Sequence, residues 1–465
     1  MAHNSTMKAI QFDGDTLTPI AIKKRLSGTK GFLLESSLKH EQKGRYSFLG
    51  VNPSIELITT EEEHTILFHE QGKKVSRQKH ERTVDILAEL VQTVDTTTLG
   101  LPPLPFLGGA VGYVGYDCIR QVEEIGELLN NDASLPMAHL LIYDTVVAYD
   151  HKQQTVHIVA IGRNGETEEE LETRCVQVKT EIQTPQRESD ERIEFGQIES
   201  NCTKKEFEAN VLKAKELIRE GEVFQIVLSQ RLQRTYSGDA FSFYRELRRQ
   251  NPSPYLYYVN FGDYIVLGSS PESLVSVQGD NVKTNPIAGT RRRGATEEED
   301  TALEKELRHD EKEQAEHDML VDLGRNDLGK VCKTGSVHVN RYQEVDRYRH
   351  VMHLVSEVTG TLQDGVQPLD ALMSCLPAGT VSGAPKIRAM QWINTLESVQ
   401  RGPYGGALGY FSYNGNLDFA LVIRTMILKD DVAYVQAGAG IVHDSIPESE
   451  YEETLHKAKA LLGGA

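Results

Sequence analysis

The sequence predicts an α+β fold in which large, mostly antiparallel β-sheets form a sandwich flanked by helices. Two observations lead to this prediction. Short runs of β-branched and aromatic residues, separated by turn residues, recur along the whole chain. Helical periodicity is confined to a few segments that do not alternate regularly with the strands, so a parallel sheet built from βαβ units is not indicated.

Strand-like runs dominate the first part of the chain. Only Val84 to Val91 has helical spacing there. The glycine-rich stretch 108–117 does not match GxGxxG and has no strand–helix frame around it, so we reject a dinucleotide site. The predicted strands are FLLES, RYSFLG, SIELIT, HTILFHE, LLIYDTVVAYD and TVHIVAIG.

A polar, acidic segment over residues 163–200 divides the chain. Its first part, NGETEEELETR, predicts a solvated helix, and its second part, TPQRESDERIE, is typical of a linker. We therefore predict two domains, residues 1–190 and 191–465.

The second part opens with a helix signal. Thr203 and Glu206 form a T-x-x-E capping box, and apolar residues follow at helical spacing. Further helices are predicted over 300–323, 384–395 and 448–462. The strand-like runs between them are VFQIVLSQ, YLYYVNF, YIVLGSS, SLVSVQ, NVKTNPI, ALGYFSYN, LDFALVIRTMILKD and VAYVQAGAGIV.

Composition excludes several classes of protein. The net charge of −18 argues against nucleic acid and against an anionic membrane surface as partners. No run of 18 apolar residues and no apolar leader is present, which predicts a cytoplasmic chain without membrane contact. The five cysteines are scattered and never in CxxC spacing, so neither a disulfide framework nor a zinc site is expected.

Two distant segments each place two carboxylates one helical turn apart. Glu313 and Glu316 form one pair, and Glu450 and Glu453 form the other. Brought together, they would form an all-oxygen site suited to Mg²⁺. The alternative is that both are solvated acidic helix faces.

Five glycine-rich turns follow predicted strands, at 268–272, 286–294, 377–386, 401–410 and 436–442. Glycine lets the backbone approach a ligand closely and cradle an oxyanion. Lone cations lie near these turns, namely Arg291, Lys386, Arg424 and Lys457. Arg424 falls in an apolar run, where it needs an anionic partner, either a buried carboxylate or the carboxylate of a substrate.

His353 lies in the alternating run RHVMHLVSEV. It is either a core residue or an acid–base catalyst that faces the site. Neither a nucleophile elbow nor a Walker signature occurs. The residues alone therefore indicate a Mg²⁺-dependent enzyme acting on a small, multi-carboxylate substrate.

The chain also resembles a known family at these motifs. AEHDMLVDLGRNDLG, PIAGTR, LPAGTVSGAPK, YGGALGYF and AGAGIVHDS, followed by the Glu–Glu helix, are similar to motifs of the chorismate-utilising enzymes. The most similar group within that family is anthranilate synthase component I. The resemblance implies the chorismate-binding enzyme fold, with 1–190 as a regulatory, tryptophan-binding domain and 191–465 as the catalytic domain.

The resemblance implies a role for each matching residue. Glu316 and Glu453 would hold Mg²⁺, with Glu313 and Glu450 acting beside them through water. Glu272 would be a general acid for loss of the ring hydroxyl, His353 would transfer protons, and Thr380 would belong to the same catalytic set. The substrate-binding positions would be Gly289, Thr290, Gly383, Tyr404, Arg424, Gly438, Ala439, Gly440 and Lys457.

Two positions favour one activity within the family. Relatives that add water carry a lysine where this chain has Gln225, and many aminodeoxychorismate synthases carry a nucleophilic lysine where it has Ala288. Both substitutions favour a lyase that adds ammonia to chorismate and releases anthranilate and pyruvate for tryptophan biosynthesis. The alternatives are aminodeoxychorismate synthase component I, an enzyme that stops at the aminated intermediate, and an inactive tryptophan-binding regulatory partner.

The resemblance also implies an effector and a partner. LLES, RYSFLG and NPSPY match regions that bind tryptophan as a feedback inhibitor, which places Glu35, Ser36, Pro254, Tyr255 and Leu256 near that ligand. No cysteine lies in a GxCxG elbow, so the ammonia is expected from a glutamine amidotransferase subunit in a heterodimer or heterotetramer.

Overall fold

The computed structural model describes residues 6–37, 44–96, 99–100, 102–163, 165–185, 191–348 and 351–462. Within those ranges there are 25 strands and ten α-helices. The strands are β1 (Met7–Asp13), β2 (Gly31–Glu35), β3 (Tyr46–Val51), β4 (Ile55–Thr59), β5 (Glu63–Phe68), β6 (Lys73–Gln78), β7 (Gly109–Val114), β8 (Ala138–Tyr143), β9 (Thr145–Asp150), β10 (Thr155–Ile161), β11 (Glu194–Phe195), β12 (Glu199–Ser200), β13 (Gln225–Ser237), β14 (Tyr255–Asn260), β15 (Tyr264–Ser270), β16 (Ser273–Gln278), β17 (Asn281–Thr284), β18 (Ile287–Arg292), β19 (His338–Arg347), β20 (Val351–Thr361), β21 (Gly383–Ala384), β22 (Ala407–Ser412), β23 (Leu417–Leu421), β24 (Thr425–Lys429) and β25 (Val432–Ile441). The helices are α1 (Pro19–Arg25), α2 (Thr83–Leu90), α3 (Glu168–Gln183), α4 (Lys204–Arg219), α5 (Ala240–Gln250), α6 (Glu297–His309), α7 (Glu311–Gly329), α8 (Pro368–Cys375), α9 (Lys386–Leu396) and α10 (Pro447–Leu462).

The strands form two large antiparallel sheets. A 13-stranded sheet has the order β1-β10-β9-β3-β2-β14-β15-β24-β25-β13-β11, with β12 and β21 also paired to β13. A 12-stranded sheet has the order β18-β20-β17-β16-β23-β22-β7-β8-β4-β5-β6, with β19 paired to β20. The predicted α+β class with large antiparallel sheets is therefore confirmed.

The main hydrophobic core lies between the two sheets. Phe32 and Phe48 of the larger sheet pack edge-on against Phe106, and Phe48 also contacts Tyr410 of the smaller sheet. Such offset and edge-to-face pairs are the favoured arrangement of buried aromatic rings. These side chains fill the interior of a sandwich, and central strands such as β7 and β8 are buried along their whole length.

The helices cover the outer faces and one end of this sandwich. Helices α1, α3, α5 and α10 contribute to a second core on the 13-stranded sheet, and α4 and α9 pack against β13 and β25 in a third core. The Thr203–Glu206 capping box is present at the start of α4, as predicted. None of the helices in the described part of the chain is long and apolar enough to span a membrane.

Both sheets contain strands from either side of residue 190. Strand β2 pairs with β14, and β7 pairs with β22. Residues 186–190, at the predicted boundary, lie outside the described residues. The division into 1–190 and 191–465 stays a prediction, and the sheet pairing joins the two parts over many backbone hydrogen bonds.

Three predicted elements are interrupted where no glycine or proline marks a break. The helix predicted over 300–323 is two helices, because the Asp310 side chain accepts hydrogen bonds from the Lys312 and Glu313 amides and so caps α7. The run LLIYDTVVAYD divides at Asp144 into β8 and β9, which lie in different sheets. The run LDFALVIRTMILKD likewise divides into β23 and β24, and Arg424, with φ +51°, lies in the crossover between the sheets.

Candidate active site

The site is built around β13 and its neighbour β25. Gly438, Ala439 and Gly440 of β25 stand opposite residues 229, 228 and 227 of β13. A Cβ at Gly440 would lie 2.8 Å from the Gln225 amide nitrogen, and one at Gly438 would lie 2.6 Å from the Tyr404 hydroxyl. A methyl group at Gly438 would also meet the Leu228 carbonyl oxygen at 3.0 Å, whereas one at Gly440 would require the Gln225 side chain to move.

The segment after Pro377 brings Thr380 to Glu272. Strand β21 pairs with the start of β13, with Gly383 opposite Ile226, and Gly383 has φ +137°. A Cβ there would overlap the Gln225 carbonyl oxygen. In this conformation the Thr380 hydroxyl donates a hydrogen bond of 2.9 Å to Oε1 of Glu272. The structure thus joins two residues that the sequence analysis assigned to one catalytic set.

Glu272 is a buried carboxyl group whose proton affinity is shifted towards neutral pH. Burial raises the pKa of Glu272 to about 7, although the Thr380 hydrogen bond and the Lys457 charge lower it. A carboxyl with this pKa is partly protonated near neutral pH, as a general acid requires. Because Oε1 accepts from Thr380, Oε2 is left to carry the proton.

His353 faces the same region from β20. It stands opposite Thr290 across a bulge in β18 where Gly289 has φ +66°. Nδ1 of His353 is 3.0 Å from both the Gly289 carbonyl oxygen and the Thr290 hydroxyl. Since a carbonyl only accepts, this contact assigns the proton to Nδ1 and leaves Nε2 as an acceptor. Burial lowers the pKa of His353, and the nearby Arg424 charge acts in the same direction, so the ring is neutral at neutral pH.

Arg424 has no ion pair or hydrogen bond from its guanidinium to any residue that the structure describes. The residue is exposed, yet desolvation by the protein around it lowers the pKa of the guanidinium, while Glu453 and Tyr404 raise it. Of the two partners predicted for this cation, the buried carboxylate is therefore absent among the described residues. A guanidinium held in this way is suited to bind a carboxylate from solution.

The two carboxylate pairs lie on helices α7 and α10. Burial raises the pKa of Glu313, and the Glu316 charge raises it further, against the opposing Arg291. Burial likewise raises the pKa of Glu450, Glu453 adds to the effect, and the charge of Lys312 on α7 lowers it. Each pair is thus a site of like-charge crowding, and a cation of α7 acts on a carboxylate of α10.

All four carboxylates have an internal partner, and that of Glu450 is Ser445. Glu313 is 3.1 Å from Arg291, Glu316 accepts from the Gln225 amide at 2.9 Å, and Glu453 is 2.6 Å from Lys457. Among the described residues, no three His, Cys, Asp or Glu side chains come together closely enough to hold a metal. The donor chemistry, with oxygen ligands only and crowded negative charge, nevertheless fits a hard cation such as Mg²⁺.

The other predicted cations have different surroundings. Lys457 donates to the Gly438 carbonyl at 2.9 Å and so lies at the site. Arg291 is shared among the carboxylates of Glu306, Asp310 and Glu313. Lys386 forms a buried ion pair of 2.5 Å with Asp327 of α7, and this pair fixes the start of α9 against that helix.

Comparison with known proteins identifies the family. Residues 31–463 match the model of a family described as chorismate binding enzyme. The chain belongs to the chorismate-binding enzymes. It is 48% identical to anthranilate synthase component 1 of Acetivibrio thermocellus, over 96% of this chain and 92% of that protein. It is 44% identical to the corresponding protein of Lactococcus lactis subsp. lactis, over 98% and 99%.

Two solved structures have the same fold as this chain. Anthranilate synthase component I from Streptococcus pneumoniae TIGR4 superposes with a TM-score of 0.81 at 43% identity, over 97% of this chain and 98% of that one. The menaquinone-specific isochorismate synthase of Escherichia coli superposes with a TM-score of 0.73 at 19% identity, which shows the shared fold alone. The predicted chorismate-binding enzyme fold and the resemblance to anthranilate synthase component I are confirmed.

The predicted effector residues of this chorismate-binding enzyme meet where β2 pairs with β14. Glu35 stands opposite Leu256 and accepts hydrogen bonds from the Tyr244 hydroxyl at 2.9 Å and from Arg248 at 3.1 Å. The Ser36 hydroxyl is buried and has no hydrogen-bond partner among the described residues. Pro254 is buried, whereas the Tyr255 hydroxyl donates to Asp418 at 2.8 Å in the other sheet. Tyr255 thus points to the opposite sheet face from Leu256.

The sequence analysis missed two buried residues of the site. Arg401 and Glu397 form an ion pair at 2.6 Å behind the Thr380 turn, with only 2% and 8% of their side chains exposed. Both follow the last residue of α9, and residues 398–401 are not helical. Their i, i+4 spacing is typical of an exposed helix face, so the sequence did not predict the buried loop in which the pair lies.

Proposed function

We propose that this chain converts chorismate and ammonia to anthranilate and pyruvate as component I of an anthranilate synthase in tryptophan biosynthesis. The observation that carries the proposal is the buried Glu272 held by Thr380 beside Arg424, Lys457 and His353. Near full-length similarity of 40–48% to proteins named anthranilate synthase component 1 supports it.

The chain's own groups account for the steps of this reaction. Arg424, whose guanidinium has no partner among the described residues, binds a carboxylate of chorismate, and the glycines of β25 let the ring lie against the backbone. Glu272 gives its Oε2 proton to the departing ring hydroxyl as ammonia attacks, because a neutral leaving group departs more easily. The neutral Nε2 of His353 then accepts a proton as pyruvate is eliminated and the ring becomes aromatic.

Glu316 and Glu453 would hold Mg²⁺, with Glu313 and Glu450 beside them. The ion would supply a positive charge that orients a substrate carboxylate and neutralises it. Binding would relieve the crowding within each carboxylate pair, which is the reason these residues suit the ion.

Two positions support direct attack by ammonia. Ala288 offers no nucleophile beside the Gly289 bulge, and the Gln225 amide is held by Glu316 and is not a base. Covalent lysine catalysis and activation of water by a lysine are both unsupported by these residues. Aminodeoxychorismate synthase component I is therefore ranked second, because many members of that group use a lysine nucleophile where this chain has Ala288.

The product decides between these activities. The purified chain is incubated with chorismate, Mg²⁺ and ammonium, the fluorescence is followed, and the products are separated by chromatography. We expect anthranilate and an equal amount of pyruvate. Aminodeoxychorismate without pyruvate would assign the chain to the second candidate, and tryptophan binding without turnover would make it a regulatory partner.

Arg424→Gln should weaken chorismate binding and leave the fold unchanged, because the guanidinium has no hydrogen bond or ion pair to any part of the chain that the structure describes. A hydrogen bond to a charged group contributes about 1.5–3 kcal/mol, so we expect KM for chorismate to rise roughly 10- to 150-fold. Arg325→Gln is the matched control, since Arg325 is exposed and pairs only with Asp322. An unchanged KM in Arg424→Gln would remove this residue from the binding site.

Tryptophan regulation is a further part of the proposal. Glu35 offers a buried carboxyl group, and the Ser36 hydroxyl, which has no hydrogen-bond partner among the described residues, offers a hydrogen bond to a ligand. Binding there inhibits the enzyme only if tryptophan prefers an inactive arrangement of the sheets.

Ser36→Leu tests the effector site. The larger side chain fills the space around a buried hydroxyl, and overpacking costs about 1–3 kcal/mol, so half-inhibition should need roughly 10- to 100-fold more tryptophan. The readout is the ratio of rates with and without tryptophan for each variant, so a change in the basal rate cancels. The same tryptophan sensitivity as the unmodified chain would place the effector elsewhere.

A glutamine amidotransferase subunit is the proposed ammonia source. The similar proteins are named component 1, which implies a second component, and no cysteine here lies in a glutaminase motif. Without that subunit the chain uses ammonium. At a fixed total ammonium concentration its rate should rise with pH up to about pH 7, because un-ionised ammonia increases while Glu272 is still protonated.

A further inference from the structure

Arg401 is a buried arginine just behind the candidate active site. Only 3% of the residue is exposed, and it follows α9 in the turn that leads to β22. Its Nε and Nη2 donate to the two carboxylate oxygens of Glu397 at 2.8 and 2.6 Å. A buried ion pair of this kind is held in place only when its remaining hydrogen-bonding groups are also satisfied.

The rest of the guanidinium joins two parts of the site. Nη1 donates to the carbonyl of Val381 at 2.6 Å, and Nη2 donates to the carbonyl of Val227 at 2.8 Å. Val381 directly follows Thr380, and Val227 stands opposite Gly440 on β13. One side chain therefore ties the turn that carries Thr380 to the strand that lines the site.

Glu397 and the faces of the guanidinium extend this network. The Ser229 amide and hydroxyl both donate to Glu397 at 2.8 Å, opposite Gly438. The guanidinium carbon lies 5.5 Å from the ring of Tyr404, whose hydroxyl approaches Gly438. The ion pair thus contacts Tyr404 and the part of β13 opposite Gly438, both of which are predicted to bind substrate.

We propose that the Arg401–Glu397 pair positions the catalytic groups of this enzyme by holding the Thr380 turn and Tyr404 in register with β13. Arg401 contacts Tyr404 and the carbonyl next to Thr380 but not Glu272, so it is a positioning residue that acts through Thr380 and Tyr404. The inference rests on the proposed function, since it takes Glu272 as the proton donor.

Arginine is needed for this task because its planar fork offers five donors in fixed directions. A lysine would keep the positive charge beside Glu397. Its single ammonium group cannot reach Glu397, Val381 and Val227 with the same geometry. Arg401→Lys therefore separates the charge of the pair from its positioning role.

The test is the pH dependence of kcat, measured at a constant concentration of un-ionised ammonia. We expect Arg401→Lys to lower kcat about 10- to 100-fold, with a smaller change in KM, because small displacements of catalytic groups have effects of this size. The alkaline limb is the fall of kcat as Glu272 loses its proton. The Thr380 hydrogen bond lowers the pKa of Glu272, so loss of that bond should move the alkaline limb to higher pH. Thr380→Val should move the limb in the same direction, and the double variant should add little to Thr380→Val.

Arg231→Lys is the matched control. Arg231 is a buried arginine of β13 that pairs with Asp132 and donates to the Gln400 carbonyl, but it has no bond to the Thr380 turn. The alkaline limb of kcat of Arg231→Lys should lie at the same pH as that of the unmodified chain. An unmoved limb in Arg401→Lys, or additive losses in the double variant, would overturn the proposal.

Two further measurements test the proposal, namely the pH profile of Glu397→Gln and the product formed by the unmodified chain. If thermal unfolding shows that Arg401→Lys does not fold, Glu397→Gln is measured instead. This variant keeps the shape of the side chain and one acceptor. An alkaline limb at the same pH as in the unmodified chain would then overturn the proposal. The activity of the unmodified chain distinguishes failure of the proposed function from failure of the positioning role of Arg401. If it forms no anthranilate, the proposed function fails, whereas normal anthranilate formation with unmoved limbs in the variants refutes only the positioning role.

Discussion

Glu272→Gln is expected to lower kcat about 100- to 10,000-fold, the contribution typical of general acid catalysis. The amide keeps the size of the side chain and an acceptor for the Thr380 hydroxyl, but it has no acidic proton to give to the leaving hydroxyl. KM for chorismate should change little, because the proton is transferred only as the bond breaks.

The pH profile provides a second readout for Glu272. The acid form is the active form, and burial raises the pKa of Glu272 to about 7. At constant un-ionised ammonia, kcat should therefore be highest below pH 7 and fall as pH rises through that value. Glu272→Gln should lose this limb.

The control for this prediction is Glu357→Gln, in which the altered carboxylate pairs with Lys283 outside the site. Its kcat and its limb should match those of the unmodified chain. Near-normal turnover by Glu272→Gln would exclude Glu272 as the proton donor.

Glu453→Gln is expected to abolish Mg²⁺-dependent turnover while the chain still folds. A catalytic metal stabilises transition-state charge by several kcal/mol, which corresponds to a loss of about 1,000-fold or more. Glu453 lies at the surface of the site, and its partner Lys457 keeps its bond to the Gly438 carbonyl, so the fold should be retained.

Metal binding can be measured apart from activity. Mn²⁺ titrated into the purified chain and followed by electron paramagnetic resonance should bind the unmodified chain more tightly than Glu453→Gln. Glu452→Gln is the matched control on the same helix, because Glu452 is exposed and lies 3.9 Å from Lys204. Equal Mn²⁺ affinity and a normal Mg²⁺ response in Glu453→Gln would remove Glu453 from the ligand set.

Local elements were predictable where a local signal exists. The capping box of Thr203 begins α4, and the turn-bounded runs of the first part form strands. The glycine-rich stretch 108–117 supplies β7 of the 12-stranded sheet. These features depend on interactions between residues a few positions apart, which the sequence displays directly.

Breaks that depend on the tertiary structure were not predictable. Arg424 marks a crossover between sheets inside an apolar run. The Asp310 cap between α6 and α7 is different, because it is a local signal that was overlooked in the sequence. The pattern of apolar residues indicates that a segment is buried, but it does not indicate which sheet the segment joins. The same limit concealed the Arg401–Glu397 pair, whose spacing is compatible with an exposed helix face as well.

The sequence by itself determined the residue types of the site, the α+β class and, through its motifs, the family. Only the tertiary structure decided how these residues meet. Glu272 and Thr380 are 108 residues apart in the chain and share a hydrogen bond, and Gln225 reaches Glu316 across 91 residues. Such contacts follow from the register of β13 against β21 and β25, because a shift of one residue would turn every side chain of a strand to the other face of the sheet.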